Sequence, residues 1–166
     1  MKVGHVALVG KPNVGKSTLL NHFVGQKVSI VSNKPQTTRR RVMGIASTPD
    51  YQIAFIDTPG IHEPHTRLGK AMVDQARGAL GDVDLVLFVG DASKSPNEED
   101  KEIAKLLKPM IKRDDSETDE NFPLVICLNK MDLLRADQVV DHVEGYCKLL
   151  GSEEYMLTSA AKNQNL

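Results

Sequence analysis

The sequence predicts an open, doubly wound α/β fold, with helices on both faces of a mostly parallel six-stranded sheet. Two observations carry this. Short runs of Val, Ile, Leu and Phe recur along the chain, and continuous apolar runs of that length suit parallel strands buried on both faces. Between them lie longer segments with a helical spacing of apolar residues, and such alternation predicts βαβ units.

The strand candidates are Val6–Val9, Ile53–Ile56, Leu85–Val89 and Leu124–Leu128. Val42–Ser47 is less apolar and reads as an edge strand, a candidate for antiparallel pairing. Tyr155–Thr158 is a weaker final strand. Helices are expected at Lys16–Val24, Leu68–Leu80, Glu98–Ile111 and Ala136–Leu150. In the third, Ile103, Leu106, Leu107, Met110 and Ile111 fall on one face. Pro96-Asn97 marks its start, and Glu98, Glu99 and Asp100 sit at the positive end of its dipole.

Arg113–Asn121 holds five acids and no apolar residue, so it reads as a solvated surface loop. The chain reads as one domain, 1–166. After Ser159-Ala160-Ala161-Lys162 it stops at Leu166, where one more covering helix is expected, so the domain reads as truncated at its C-terminus.

Composition bounds the function. Of 166 residues, 40% are hydrophobic and 26% charged, which excludes a disordered or collagen-like chain. Lys and Arg number 21 against 22 Asp and Glu, a net charge of -1. A free-standing nucleic-acid binder shows an excess of base, so this chain alone is not expected to grip a phosphate backbone. Cys127 and Cys147 are isolated and form neither a CxxC pair nor a disulfide framework. Apolar stretches stay far short of the ~20 residues that cross a bilayer, and Met1-Lys2-Val3-Gly4-His5 enters a strand with no signal-peptide core. A soluble intracellular domain is expected.

Gly10-Lys11-Pro12-Asn13-Val14-Gly15-Lys16-Ser17 fills every fixed position of G-x-x-x-x-G-K-[ST], directly after a strand and at the head of the helix containing Thr18, Leu19 and Leu20. Glycines let the backbone wrap a phosphate without Cβ clashes, and the consecutive N–H groups of the loop and of the helix N-terminus at Ser17 and Thr18 then face the anion. Lys16 supplies charge for the β- and γ-phosphates, and the Ser17 hydroxyl is placed to hold Mg²⁺. A nucleoside triphosphate is expected here. Asp57-Thr58-Pro59-Gly60 ends the strand Ile53–Ile56. There Asp57 stands where a carboxylate can help to hold Mg²⁺, and the Gly60 N–H can approach the γ-phosphate.

Asn129-Lys130-Met131-Asp132 follows the strand Leu124–Leu128. An aspartate carboxylate accepts from both N1–H and the 2-amino group of guanine, which adenine lacks, so Asp132 selects GTP over ATP. Lys130 can lay its stem across the sugar and base. Ser159-Ala160-Ala161 follows the last strand, where the Ala160 N–H could reach guanine O6.

In this order these elements resemble the translation-factor class of P-loop GTPases. Gly25-Gln26-Lys27-Val28-Ser29-Ile30, Pro35-Gln36-Thr37-Thr38-Arg39 and Asp57-Thr58-Pro59-Gly60-Ile61-His62 are similar to the GTPase domain of the Era family. The resemblance runs from Gly4 to Lys162. It implies a GTP-hydrolysing switch acting in small ribosomal subunit assembly and 16S-type rRNA maturation, with Mg²⁺ and GTP or GDP bound. Thr38 would be a Mg²⁺ ligand beside Ser17 and Asp57, with Thr37 its competitor for that role. The family also brings an RNA-binding KH domain, which this chain lacks; Gly78-Ala79-Leu80-Gly81 reads as a helix end rather than a KH loop. The resemblance further implies a monomer in the cytoplasm, an organelle in a eukaryote, and peripheral membrane association.

Ras-type switches carry a water-orienting glutamine after the DxxG motif, where this chain has Ile61. Slow intrinsic hydrolysis follows. Lys16, Thr38, Gly60 and Asn13 are the catalytic candidates, with Asn13 the implied ligand for K⁺ in place of an arginine finger. His62 and His65 read as surface histidines of the second switch, Ile61–Gly69. In the first switch, Gln26–Arg41, the cluster Lys34, Arg39, Arg40 and Arg41 reads as a solvated basic face or an RNA contact of the GTP state. Two alternatives stand beside this: a nucleotide-dependent binding module with negligible hydrolysis, and a related tRNA-modification or tandem-domain GTPase.

Overall fold

A computed structural model describes residues 2–25, 41–57, 83–111 and 123–166. The expected helix Leu68–Leu80, the charged segment Arg113–Asn121, Gly60, both switch threonines, His62 and His65 lie outside the described residues.

The strands are β1 (Lys2–Val9), β2 (Arg41–Ser47), β3 (Tyr51–Asp57), β4 (Leu85–Asp91), β5 (Leu124–Asn129) and β6 (Tyr155–Leu157). The described helices are α1 (Lys16–Val24), α2 (Glu98–Ile111) and α3 (Val139–Leu150). They form one six-stranded sheet in the order β2-β3-β1-β4-β5-β6. Every pairing is parallel except β2 with β3, so β2 is the antiparallel edge strand that its weaker apolar pattern predicts.

The sheet is buried on both faces, and the alternation of side chains shows how. Ala7, Val9, Val86, Phe88, Ile126 and Leu128 face Ile103, Ala104 and Leu107 of α2 and Val143, Tyr146 and Leu150 of α3. Their neighbours Val6, Leu8, Leu87, Val89, Phe55 and Cys127 face Leu19 and Leu20 of α1. A strand whose odd and even positions are both buried must be apolar throughout, which is why these strands read as continuous runs.

Strands β2 to β5 extend one or two residues beyond the expected apolar runs at one or both ends, and three other boundaries differ from the sequence reading. Strand β1 starts at Lys2 rather than Val6, because its polar beginning is held by pairing with β3, from Lys2 opposite Tyr51 to Leu8 opposite Asp57. The expected helix from Ala136 begins as a 3₁₀ turn, Ala136–Gln138, and becomes α-helical only at Val139. The last strand ends at Leu157, one residue early.

Chain order reverses around β1, which lies between β3 and β4. In open α/β sheets such a switch point opens a crevice beyond the carboxyl ends of the strands. Gly10 and the polar residues Lys11, Asp57, Asp91 and Asn129 all stand at that edge. Among the described residues no helix is long and apolar enough to cross a membrane.

Candidate functional site

The loop after β1 turns with Gly10, Asn13 and Gly15 all at positive φ. Gly10 and Gly15 also admit no side chain: a Cβ would collide with the Val89 carbonyl oxygen at the first and with the Asn129 amide at the second. Helix α1 then begins with no side-chain cap and no acid in its first turn. Helix α2 solves the same problem differently. The Asp100 N–H donates to Asn97 Oδ1 at 3.2 Å and the Asn97 N–H donates back to Asp100 Oδ2 at 3.0 Å, a reciprocal cap. A helix head with no side-chain cap behind a glycine turn is an arrangement that suits an anion.

Lys16 lies over this loop, its Nζ donating to the carbonyl oxygens of Gly10 and Lys11 at 2.7 Å each. Ser17 and Thr18, in the first turn of α1, are exposed, as are Pro12 and Asn13. The side chains of Val14 and Lys11 are engaged elsewhere, and the sequence reading asks only for the backbone of this loop. The Val14 side chain is buried among the core residues under α1 and offers the loop only its backbone. The Lys11 side chain turns away from the crevice and is buried against α2, its Nζ 2.7 Å from Asp100 Oδ2. Only the Lys11 backbone is left for a phosphate.

The segments expected to read the base are tied to the loop after β1 by one buried amide. Asn129 Nδ2 donates to the Val14 carbonyl at 2.9 Å, while its Oδ1 accepts from the Ala160 N–H at 3.0 Å and the Thr158 hydroxyl at 3.3 Å. The Ala160 N–H expected to reach guanine O6 is thus held by Asn129 and serves a base only as a shared donor. Asp132 is exposed, and its Oδ1 accepts from Ser159 Oγ at 2.6 Å. The same Oγ accepts from the Lys162 N–H at 3.1 Å, so the loop that follows β6 aims the carboxylate. Ala161 is exposed on that loop.

Lys130 takes a left-handed backbone conformation, φ 66°, and its Nζ lies 3.1 Å from Asp91 Oδ2. Asp91 was not singled out from sequence. Its other oxygen accepts from the Ser93 N–H at 3.0 Å and the Ser93 hydroxyl at 2.6 Å. Burial works to raise the Asp91 pKa, but the hydrogen bonds from Ser93 and Lys130 together outweigh it and the net shift is downward. A signal was present: Asp91 ends an apolar run, as Asp57 and Asn129 do.

Two α3 residues missed by the sequence reading hold the β4–α2 connection. His142 Nδ1 lies 2.8 Å from the Ala92 carbonyl oxygen. The Tyr146 hydroxyl is 3.4 Å from the Asp91 carbonyl oxygen and 3.5 Å from Asp100 Oδ2. Burial first, then the Asp100 charge, pushes the Tyr146 pKa well above its ordinary value.

A Mg²⁺ bound with nucleotide draws few ligands from the protein and the rest from phosphates and water. The positions fit that pattern. Ser17 stands on the first turn of α1, and Asp57 ends β3 paired with Leu8 of β1, two residues before the phosphate loop. Among the described residues no group of three His, Cys, Asp or Glu side chains could hold a metal by itself.

Residues 5–130 match the family model described as 50S ribosome-binding GTPase. The chain is 40% identical over 166 residues to the GTPase Era of Heliobacterium modesticaldum, covering 100% of this chain and 52% of that protein. Among solved structures, a variant of Aquifex aeolicus Era bound to GDP·AlF4⁻ superposes with TM-score 0.70 at 42% identity, covering 99% of this chain and 54% of that one. An Era complex with MgGDPNP and nucleotides 1506–1542 of 16S ribosomal RNA gives TM-score 0.71 at 42% identity, covering 99% and 53%. The chain therefore spans about half the length of the relatives it matches. On the family match over residues 5–130, the identity along the whole chain and the superposition on Era structures, the chain belongs to this family of GTPases, and its GTPase domain is of the Era type.

Proposed function

We propose that this chain binds GTP with Mg²⁺, hydrolyses it slowly, and acts as a switch in assembly of the small ribosomal subunit. The observation that carries the nucleotide assignment is the Asn129 clamp, which joins the phosphate loop at Val14 to the guanine loop at Ala160. A site whose phosphate and base halves share one buried side chain is built for a whole nucleotide. Lys16 would bind the β- and γ-phosphates, Asp132 would accept from the guanine edge, and Lys130, drawn over by Asp91, would lay its stem along the base. Ser17, Asp57 and Thr38 would hold the Mg²⁺, which neutralises charge on the transferred phosphoryl group. The Gly60 N–H would approach the γ-phosphate.

The ribosomal step rests on kinship. The family model's description names the large subunit, whereas the Era complex carries 16S ribosomal RNA; identity to Era along the whole chain favours the small subunit. RNA contact would belong to the longer protein, through a KH domain. Ile61 favours slow intrinsic turnover and keeps a second reading in view, a nucleotide-dependent binding module. Single-turnover rates with and without a 16S 3′-end fragment separate the two. Asn13 is the proposed K⁺ ligand; equal rates in K⁺ and Na⁺ would remove it from that role.

The first test is binding of fluorescent GDP and GTP, with ATP as competitor, to the wild type and to Asp132→Asn. We expect guanine binding that ATP does not displace and that the substitution abolishes. Displacement by ATP at equal concentration would overturn the guanine assignment.

A further inference from the structure

We propose that Lys11 and Asp100 form a strut that sets the position of Lys16, which makes Asp100 a positioning residue for the nucleotide phosphates. The inference rests on the reading of Gly10–Ser17 as a GTP site and adds a residue from another helix to it. Lys11 is held from two sides. Its carbonyl oxygen, with that of Gly10, accepts from Lys16 Nζ at 2.7 Å. Its own side chain, 9% exposed, runs the other way to Asp100, whose side chain is fully buried.

Asp100 is a fixed anchor. The Asn97 N–H donates to the same Oδ2 that takes Lys11, which locks the carboxylate to the head of α2, and the Tyr146 hydroxyl approaches it from α3. A shift of this carboxylate would move the Lys11 backbone, and with it one of the two carbonyl groups that orient the Lys16 ammonium. The motif leaves the position after Gly10 open; in this chain a long cation there is what reaches Asp100.

A purely stabilising role fits the pair poorly. Buried ion pairs are weak stabilisers, and apolar pairs of similar volume often replace them without loss. Asp100 Oδ1 is also buried without a hydrogen-bond partner among the described residues, a cost that a pair selected for stability alone would avoid. Fixing the geometry of a residue whose carbonyl is itself a Lys16 acceptor accounts for both features.

The experiment measures fluorescent GDP binding to the whole chain as wild type, Asp100→Asn, Lys11→Met, Lys11→Arg and the double variant Lys11→Met/Asp100→Leu, each with a melting curve. Asp100→Asn and Lys11→Met should weaken GDP roughly 2- to 30-fold, the range in which residues act without touching a ligand. Lys11→Arg should restore most of the affinity by keeping the cation. The preference for GDP over inosine diphosphate should not change, because the base loops are untouched. The double variant should recover melting temperature but not affinity. Folded single variants that bind GDP within twofold of wild type would overturn the proposal, as would a double variant that recovers both quantities. A wild type that fails to bind GDP would instead refute the nucleotide site itself.

Discussion

Replacing Asn129 by alanine tests the clamp on which the site depends. Asn129 is 3% exposed, and its side chain makes three hydrogen bonds, to Val14, Thr158 and Ala160. Thr158 keeps a second contact with Cys127 Sγ at 3.4 Å, so its hydroxyl is not stranded. The Val14 carbonyl and the Ala160 N–H lose the partner that the structure gives them. Leaving a buried polar group unpaired costs about 1–3 kcal/mol, so two give about 2–6 kcal/mol. That is a large share of the ~5–15 kcal/mol by which domains are stable. At about 2–4 °C per kcal/mol for a chain of this size, a mid-range loss lowers the melting temperature by about 8–16 °C.

Calorimetry without and with GDP, alongside fluorescent GDP titration, reads both consequences. The melting temperature should fall by that amount, and GDP affinity by at least about tenfold, or 1.4 kcal/mol. Asn129→Asp separates the two arms of the clamp. It keeps an acceptor for Ala160 and Thr158 but turns an oxygen toward the Val14 carbonyl, so the phosphate half should suffer more than the base half. An alanine variant that melts within about 2 °C of wild type, with unchanged GDP binding, would refute the reasoning.

Ser159→Ala removes the 2.6 Å hydrogen bond to Asp132. Because Asp132 is exposed, its effect belongs at the low end for bonds to charged groups, about 1.5 kcal/mol or roughly tenfold in GDP affinity; an unchanged titration curve would remove Ser159 from base recognition. Asp91 makes a pH prediction. Its folded pKa lies below the ordinary aspartate value, so its stabilising contribution is present above about pH 4 and is lost as pH falls through the lower folded value. Asp91→Asn should therefore melt below wild type at pH 7, with the gap closing toward pH 3; a gap constant across that range would contradict it.

What sequence reasoning saw and missed divides along a physical line. The phosphate loop, the NKxD segment and the ends of α1 and α2 were legible because each is contiguous and its residue types answer a local demand: glycine for positive φ, an Asn cap, an acid at a helix head. The two buried sheet faces were legible because they force continuous apolar strands. Lys11 was assigned to the phosphate because its neighbours were, but its partner Asp100 lies 89 residues away. Asp91 and Lys130 are 39 residues apart and become neighbours only when β4 and β5 pair with Asp91 opposite Asn129. Pairings set by sheet register leave no spacing for a motif to show.

Those long-range pairs share a consequence for binding. Asn129 links the loop after β1 to the loop after β6, Asp91 links the end of β4 to Lys130 after β5, and Lys11 links the phosphate loop to α2. Each joins two segments through protein atoms alone, so the fold itself holds them in register. Groups ordered during folding do not have to be ordered during binding. Loosening any one pair should then weaken nucleotides through the geometry of the site, even where the residue changed touches neither base nor phosphate. The three pairs converge on different parts of the ligand, and this makes them separable. Loss of Asp91 should act through Lys130 on the base and loss of Asp100 through Lys16 on the phosphates, whereas loss of Asn129 should act on both.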